Sequence, residues 1–159
     1  MAGRVTIDKT DDIDVIKTIL FHKDLINVAL PPEDLAGIEA GTAAPSSNYT
    51  YLLIYHDDEV AGLFRYEAIS NITISWHIHL LPKYWGKAIG DKADTAACKW
   101  ILDNTKYRKI VGQSPYECRE VHRAMVRNGY EVEGVLTNAI FWNDKIQHLI
   151  LMSKTLQES

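Results

Sequence analysis

Apolar and polar positions follow two rhythms along this chain. Residues 3–8 read as a short strand. Ile13, Ile16, Ile19 and Leu20 then recur at helical spacing and predict a first helix. Thr10 is placed to cap it, with Asp11, Asp12 and Asp14 at its positive end. Pro31-Pro32-Glu33-Asp34 predicts the first turn of a second short helix ending near Gly41. From Tyr49 the rhythm is that of strands. Tyr49–Tyr55, Val60–Ile69 and Asn71–Leu81 are rich in aromatic and β-branched residues, with a polar turn at His56-Asp57-Asp58-Glu59. Three such strands in succession imply an antiparallel meander.

The helical rhythm then returns. Ile89, Ala93, Ala96, Ala97, Trp100 and Ile101 form one apolar stripe. Lys109–Gly112 reads as a strand, parallel to the one before the helix, as in a βαβ crossover. Ser114-Pro115-Tyr116-Glu117 resembles a capping box opening another helix, and Asn128-Gly129 ends it. Two strands, about 130–142 and 146–155, close the chain around a turn at Asn143-Asp144. The predicted order is βααβββαβαββ, an α/β (α+β) arrangement with a mixed sheet and helices on both faces. The only linker-like stretch, Gly41–Asn48, is too short to separate domains, so 1–159 is expected to form a single domain.

Composition narrows the partners. With 159 residues, 47% of them hydrophobic, the chain can build a sizeable core. A net charge of -4 without clustered Lys or Arg argues against nucleic acid. Two cysteines, Cys98 and Cys118, make neither a disulfide framework nor a zinc cluster. No stretch is long and apolar enough to span a membrane, and the first residues lack the apolar core of a signal peptide, so the expected setting is the cytoplasm.

The segment Pro82-Lys83-Tyr84-Trp85-Gly86-Lys87-Ala88-Ile89-Gly90-Asp91 carries the clearest chemical signal. A strand, a Gly-containing turn and a helix start present unpaired amides and a dipole end to an anion. Lys87 could add a charge. The segment matches neither the P-loop nor the dinucleotide fingerprint, and a tight turn that happens to use Gly remains the plainer reading.

Residues from about Ile74 to Leu156 resemble the GNAT superfamily of acetyl-CoA-dependent N-acetyltransferases, especially the branch that includes the ribosomal-protein acetyltransferases RimJ and RimL. Leu80-Leu81-Pro82-Lys83-Tyr84-Trp85-Gly86-Lys87-Ala88-Ile89-Gly90 is similar to that family's strand-to-helix pattern, and Gly129-Tyr130-Glu131-Val132-Glu133-Gly134 to its later Gly-aromatic pattern. The resemblance implies a mostly antiparallel sheet of about seven strands flanked by about four helices. It implies acetyl-CoA as co-substrate, with the pantetheine arm on the backbone of Ile78, His79 and Leu80. The pyrophosphate would sit at Trp85, Gly86, Lys87, Ala88, Ile89, Gly90 and Asp91. Trp85 stands where the family has Arg or Gln, Ala88 where it has Gly, and Met125 where many members have an acidic Tyr.

Making an amide from a thioester requires a neutral amine, a proton acceptor, and a donor for the leaving thiolate. His77 and His79 share one face of their strand with Ser75 and suit a base near neutral pH, or are simply packed histidines. A third metal ligand for this pair is not evident, so no metal is expected. Glu67 is a second base candidate, or a solvated strand carboxylate. Tyr116 is a candidate acid, and Ser114 more simply a cap. The expected function is transfer of an acetyl group to a primary amine, a protein N-terminus or a small molecule, by a protein able to form a homodimer. The alternative is a catalytically inactive GNAT-fold module that binds CoA or protein.

Overall fold

The structure, a computed structural model, describes residues 3–24, 45, 48–86 and 88–157. In chain order these form β1 (Val5–Thr10), α1 (Ile13–Leu20), β2 (Thr50–His56), β3 (Glu59–Ala68), β4 (Thr73–Leu80), α2 (Ile89–Asn104), β5 (Lys109–Pro115), α3 (Arg119–Arg127), β6 (Glu131–Trp142) and β7 (Lys145–Thr155). A single 3-10 turn, Pro82–Tyr84, lies between β4 and α2. The strands make a seven-stranded sheet in the order β1-β2-β3-β4-β5-β7-β6, antiparallel except where β4 meets β5. Three α-helices appear among the described residues. The further helix expected from Pro31 to Gly41 lies outside them.

The described residues group into two compact units. The first is made of those within Met1–Glu67 and His77–Ala97, the second of those within Ala68–Trp76 and Cys98–Ser159. In the first, a hairpin sets the strand register. Asp57 and Asp58 both adopt positive φ, 49° and 69°, as a two-residue turn between β2 and β3 requires. Tyr51 then faces Arg65, and Leu53 faces Leu63. Helix α1 lays Ile16, Ile19 and Leu20 against Tyr51, Leu53 and Leu63, all buried. Each such side chain contributes about 1.5–3 kcal/mol of burial. The α1 cap differs from expectation. Asp12, not Thr10, takes the N-cap position and accepts from the amides of Asp14 and Val15. Thr10 sits two residues back, at the end of β1, where its Oγ1 accepts from the Asp12 amide at 3.1 Å. Strand β1 runs on to residue 10, so Thr10 is held in the strand and Asp12 is the residue whose side-chain oxygen reaches the helix amides.

In the second unit, Thr73–Ser75 of β4 pair in parallel with Lys109–Val111 of β5, as the crossover reading requires. Strand β5 continues to Pro115, held by β7. Ser114 therefore lies inside a strand, opposite Ile150, and does not cap α3. The helix begins four residues after the expected capping box, behind Cys118, which makes no side-chain cap bond. Ladder bonds to β7 outweigh a single cap. Helix α3 ends as expected at Asn128, followed by Gly129 at φ 89°. Asn143 and Asp144, at φ 53° and 61°, turn β6 into β7.

Candidate active site

The segment expected to hold the cofactor is built from the end of β4. The Leu81 amide donates to the Ala61 carbonyl of β3 at 2.9 Å. The His79 carbonyl also faces β3: a Cβ at Gly62 would come within 2.3 Å of it. Backbone groups of successive strand residues point to opposite edges, so Ile78 and Leu80 turn theirs away from β3. On that edge, among the described residues, the ladder with β5 covers only Thr73–Ser75. The edge at Ile78 and Leu80 can therefore receive another extended chain. The His79 backbone, expected to share in this, is committed to the β3 side.

One group on that edge already has a partner. The Trp85 indole Nε1 donates to the Leu80 carbonyl at 2.8 Å, while the side chain stays 51% exposed. The 3-10 turn that brings it there is anchored by Tyr84. Its buried hydroxyl donates to Glu59, which also pairs with Lys83 at 3.0 Å. Gly86 at φ 71° and Ala88 at φ 57° then reverse the chain. The Ala88 carbonyl accepts from the Lys92 amide at 3.3 Å, so Ile89, Gly90 and Asp91 are the first-turn amides of α2, which have no i−4 acceptor within a helix. They form the positive end of a 16-residue helix. Lys87 lies outside the described residues.

A polar cluster occupies one face of β2, β3 and β4. The His77 and His79 rings stack at 6.4 Å, tilted by 17°. Tyr49 meets His77 edge-on at 6.4 Å, and the Arg65 guanidinium lies 4.6 Å over the Tyr49 ring. The Tyr49 hydroxyl donates to Glu67, and its pKa is raised by burial, with Glu67 adding to the rise and Arg65 opposing it. His79 is 6% exposed, and its Nε2 has no hydrogen-bond partner among the described residues. Burial, reinforced by the nearby Arg65 charge, lowers His77 to about 4 and His79 to about 3, where His77 adds to the effect. Both shifts run downward from the neutral range expected of a base at these positions. Both imidazoles are uncharged at pH 7 and can accept a hydrogen bond, but each binds a proton too weakly to keep one taken from an ammonium ion.

Arg65 and Tyr49 are the members of this cluster that the sequence reading missed. The available signal was an Arg and a Glu, two apart, on the same face of a strand whose other residues are mostly buried. Ile78, expected on the opposite face, is 38% exposed, and Trp76 beside it stacks on Tyr130 at 5.8 Å.

The remaining candidates belong to the second unit. The Tyr116 hydroxyl accepts from Arg119 at 3.1 Å, and the guanidinium lies 4.8 Å over its ring. Ser114 is buried, with no hydrogen-bond partner for its Oγ among the described residues. Met125 packs toward Gly112, where a Cβ would come within 2.5 Å of its terminal methyl. The Gly129-Tyr130-Glu131-Val132-Glu133 pattern has a structural use. Tyr130 is buried on Trp76, and Glu133 accepts from Lys109 at 3.0 Å and from Ser153, tying β6 to β5 and β7. Among the described residues, no group of His, Cys, Asp and Glu could hold a metal ion, and no helix is long and apolar enough to cross a membrane.

The fold is that of the GNAT acetyltransferases. A GNAT-family acetyltransferase from Streptococcus pneumoniae is 16% identical with a TM-score of 0.68, covering 97% of this chain and 100% of that one. One from Bacillus anthracis is 16% identical with a TM-score of 0.69, covering 99% and 98%. A dodecameric spermidine N-acetyltransferase from Vibrio cholerae is 14% identical with a TM-score of 0.73, covering 96% and 94%. By sequence, the chain belongs to the family described as "Protein of unknown function (DUF2824)", which it matches over residues 10–153. No curated protein matches it.

Proposed function

We propose that this protein transfers an acetyl group from acetyl-CoA to a primary amine. One observation carries the reading. An open β4 edge runs, through a turn with two left-handed residues, into the first-turn amides of α2. An extended amide-bearing arm fits the edge, and a pyrophosphate fits the helix start. In this reading the Ile78 backbone and the Leu80 amide hold the pantetheine arm. The amides of Ile89, Gly90 and Asp91, after the Gly86–Ala88 turn, hold the pyrophosphate. Bound acetyl-CoA supplies the activated acyl group. Positioning the amine against the thioester then provides much of the rate.

His77, His79 and Glu67 remain the proposed residues for the amine. The neutral imidazoles accept a hydrogen bond from an uncharged amine, while the Glu67 carboxylate attracts its ammonium form. Tyr116 is the proposed proton donor to the thiolate, its hydroxyl oriented by Arg119. A second reading, a module that binds CoA without turning it over, is favoured by the Trp85 indole, which already takes the Leu80 carbonyl, and by Met125, which cannot donate a proton.

Thermal unfolding with added acetyl-CoA tests the binding step, because a ligand of the native state must raise the midpoint. Thiol release over a panel of polyamines, small amines and peptides with free N-termini tests the transfer. No midpoint shift at about 1 mM acetyl-CoA sinks both readings. A shift without thiol release leaves the binding module.

A further inference from the structure

Helix α3 is nine residues long and buries none of them fully. Its outer flank borders a groove of about 610 Å³, in the size range of small-molecule sites. The floor is apolar. Val132 of β6 and Met152 of β7 are cross-strand neighbours, Ile150 lies two residues along β7, and Val126 comes down from the helix. Val126 and Val132 are 61% and 62% exposed, while Ile150 and Met152 close the bottom of the groove and are buried.

The rim has one sign of charge. Arg119, Arg123 and Arg127 follow one another at i, i+4 and i+8, and among the described residues no carboxylate lines the groove, the nearest partner being Glu120, which pairs with Arg123. Like charges at that spacing repel within a helix. Arg119 is steadied by Tyr116, and Arg123 by Glu120 three residues back. A row of guanidiniums above an apolar floor matches a ligand with an anionic head and an apolar body, since the planar fork binds carboxylate or phosphate oxygens in pairs.

We propose that this groove is a binding site for a small amphipathic anion. Its apolar body covers Val126, Val132, Ile150 and Met152, and its carboxylate or phosphate head is held by Arg123 and Arg127. The site lies within the second unit and does not depend on acetyl transfer.

Calorimetric titration of the full chain with octanoate, octyl phosphate, octylamine and acetate, without acetyl-CoA, tests this. Octanoate or octyl phosphate binds saturably, and the tighter of the two names the head. Octylamine, with the same tail and the opposite charge, and acetate, with the head alone, do not. The double variant Arg123→Glu/Arg127→Glu weakens binding by about tenfold or more, and Arg123→Gln/Arg127→Gln shows a smaller loss in the same direction. Circular dichroism confirms that both variants fold. The proposal is overturned if octylamine binds as well as octanoate, if both double variants keep wild-type affinity, or if neither anion binds saturably below about 10 mM.

Discussion

The indole of Trp85 donates its only proton to the carbonyl of Leu80, at 2.8 Å. That oxygen is on the edge of β4 proposed to receive the pantetheine arm, and the indole withholds it, leaving the arm the Ile78 backbone and the Leu80 amide. Trp85→Phe keeps the ring and removes the donor. A neutral hydrogen bond contributes about 0.5–1.5 kcal/mol, so the variant should bind acetyl-CoA about threefold to tenfold more tightly. Calorimetric affinities of the two proteins check this. Equal or weaker binding by the variant would show that the Leu80 carbonyl plays no part.

Ala88 holds a left-handed backbone with φ 57°. A side chain in that region costs about 1 kcal/mol relative to glycine. Ala88→Gly should raise stability by somewhat less than this, because glycine also loosens the unfolded chain. Urea unfolding measures it, and a lower midpoint would place the residue outside the left-handed region.

At Gly62 the constraint is space. A Cβ there would sit 2.3 Å from the His79 carbonyl and 3.0 Å from the Leu80 Cα, both backbone atoms that cannot rotate away. Gly62→Ala should destabilise the protein by about 1–3 kcal/mol, the usual range for an overpacked site. Denaturant midpoints decide the matter, with wild-type stability as the contrary result.

The buried histidines predict a pH dependence. Their folded values, about 4 for His77 and about 3 for His79, lie below the unfolded value of 6.5. Below pH 6.5 the unfolded chain therefore binds more protons, and stability falls. Each of these two groups adds to the loss, together on the order of 1 kcal/mol or more per pH unit, until its folded value is reached. Stability from these groups is fully present above pH 6.5 and declines down to about pH 3–4. His79→Asn should flatten part of that slope. An unchanged slope between pH 6 and pH 4 would exclude His79 as its source. The same shifts place no inflection from His77 or His79 near pH 6.5 in a rate profile.

The turns were the most legible part of the sequence. Asp57-Asp58 and Asn143-Asp144 are residue types that tolerate positive φ, and Gly129 ends α3 for the same reason. Local chemistry determined them, so local reading found them. The crossover from β4 to β5 was legible because the rhythm changes at Ile89. The misplaced caps have a common cause. Thr10 and Ser114 are good capping residues, but strands β1 and β5 extend over both, and strand pairing cannot be seen from neighbouring residues. The site was legible in its backbone and less so in its side chains. Gly86 and Gly90 marked the turn, whereas the cluster of Tyr49, Arg65, Glu67, His77 and His79 depends on three strands meeting at one register. The spacing of His77 and His79 placed them side by side, but not the burial that sets their proton affinity.

Strand β6 ends the sheet, and its 12 residues pair with β7 through two breaks in register, between Val132 and Gly134 and between Leu136 and Ile140. In the second break Asn138 takes φ 50°, and the His148 ring accepts its amide at 2.9 Å. An unbroken edge of that length would invite a stray chain to add a strand and start a fibre. The two dislocations divide it into shorter, differently twisted pieces, a safeguard against aggregation built into the border of the fold.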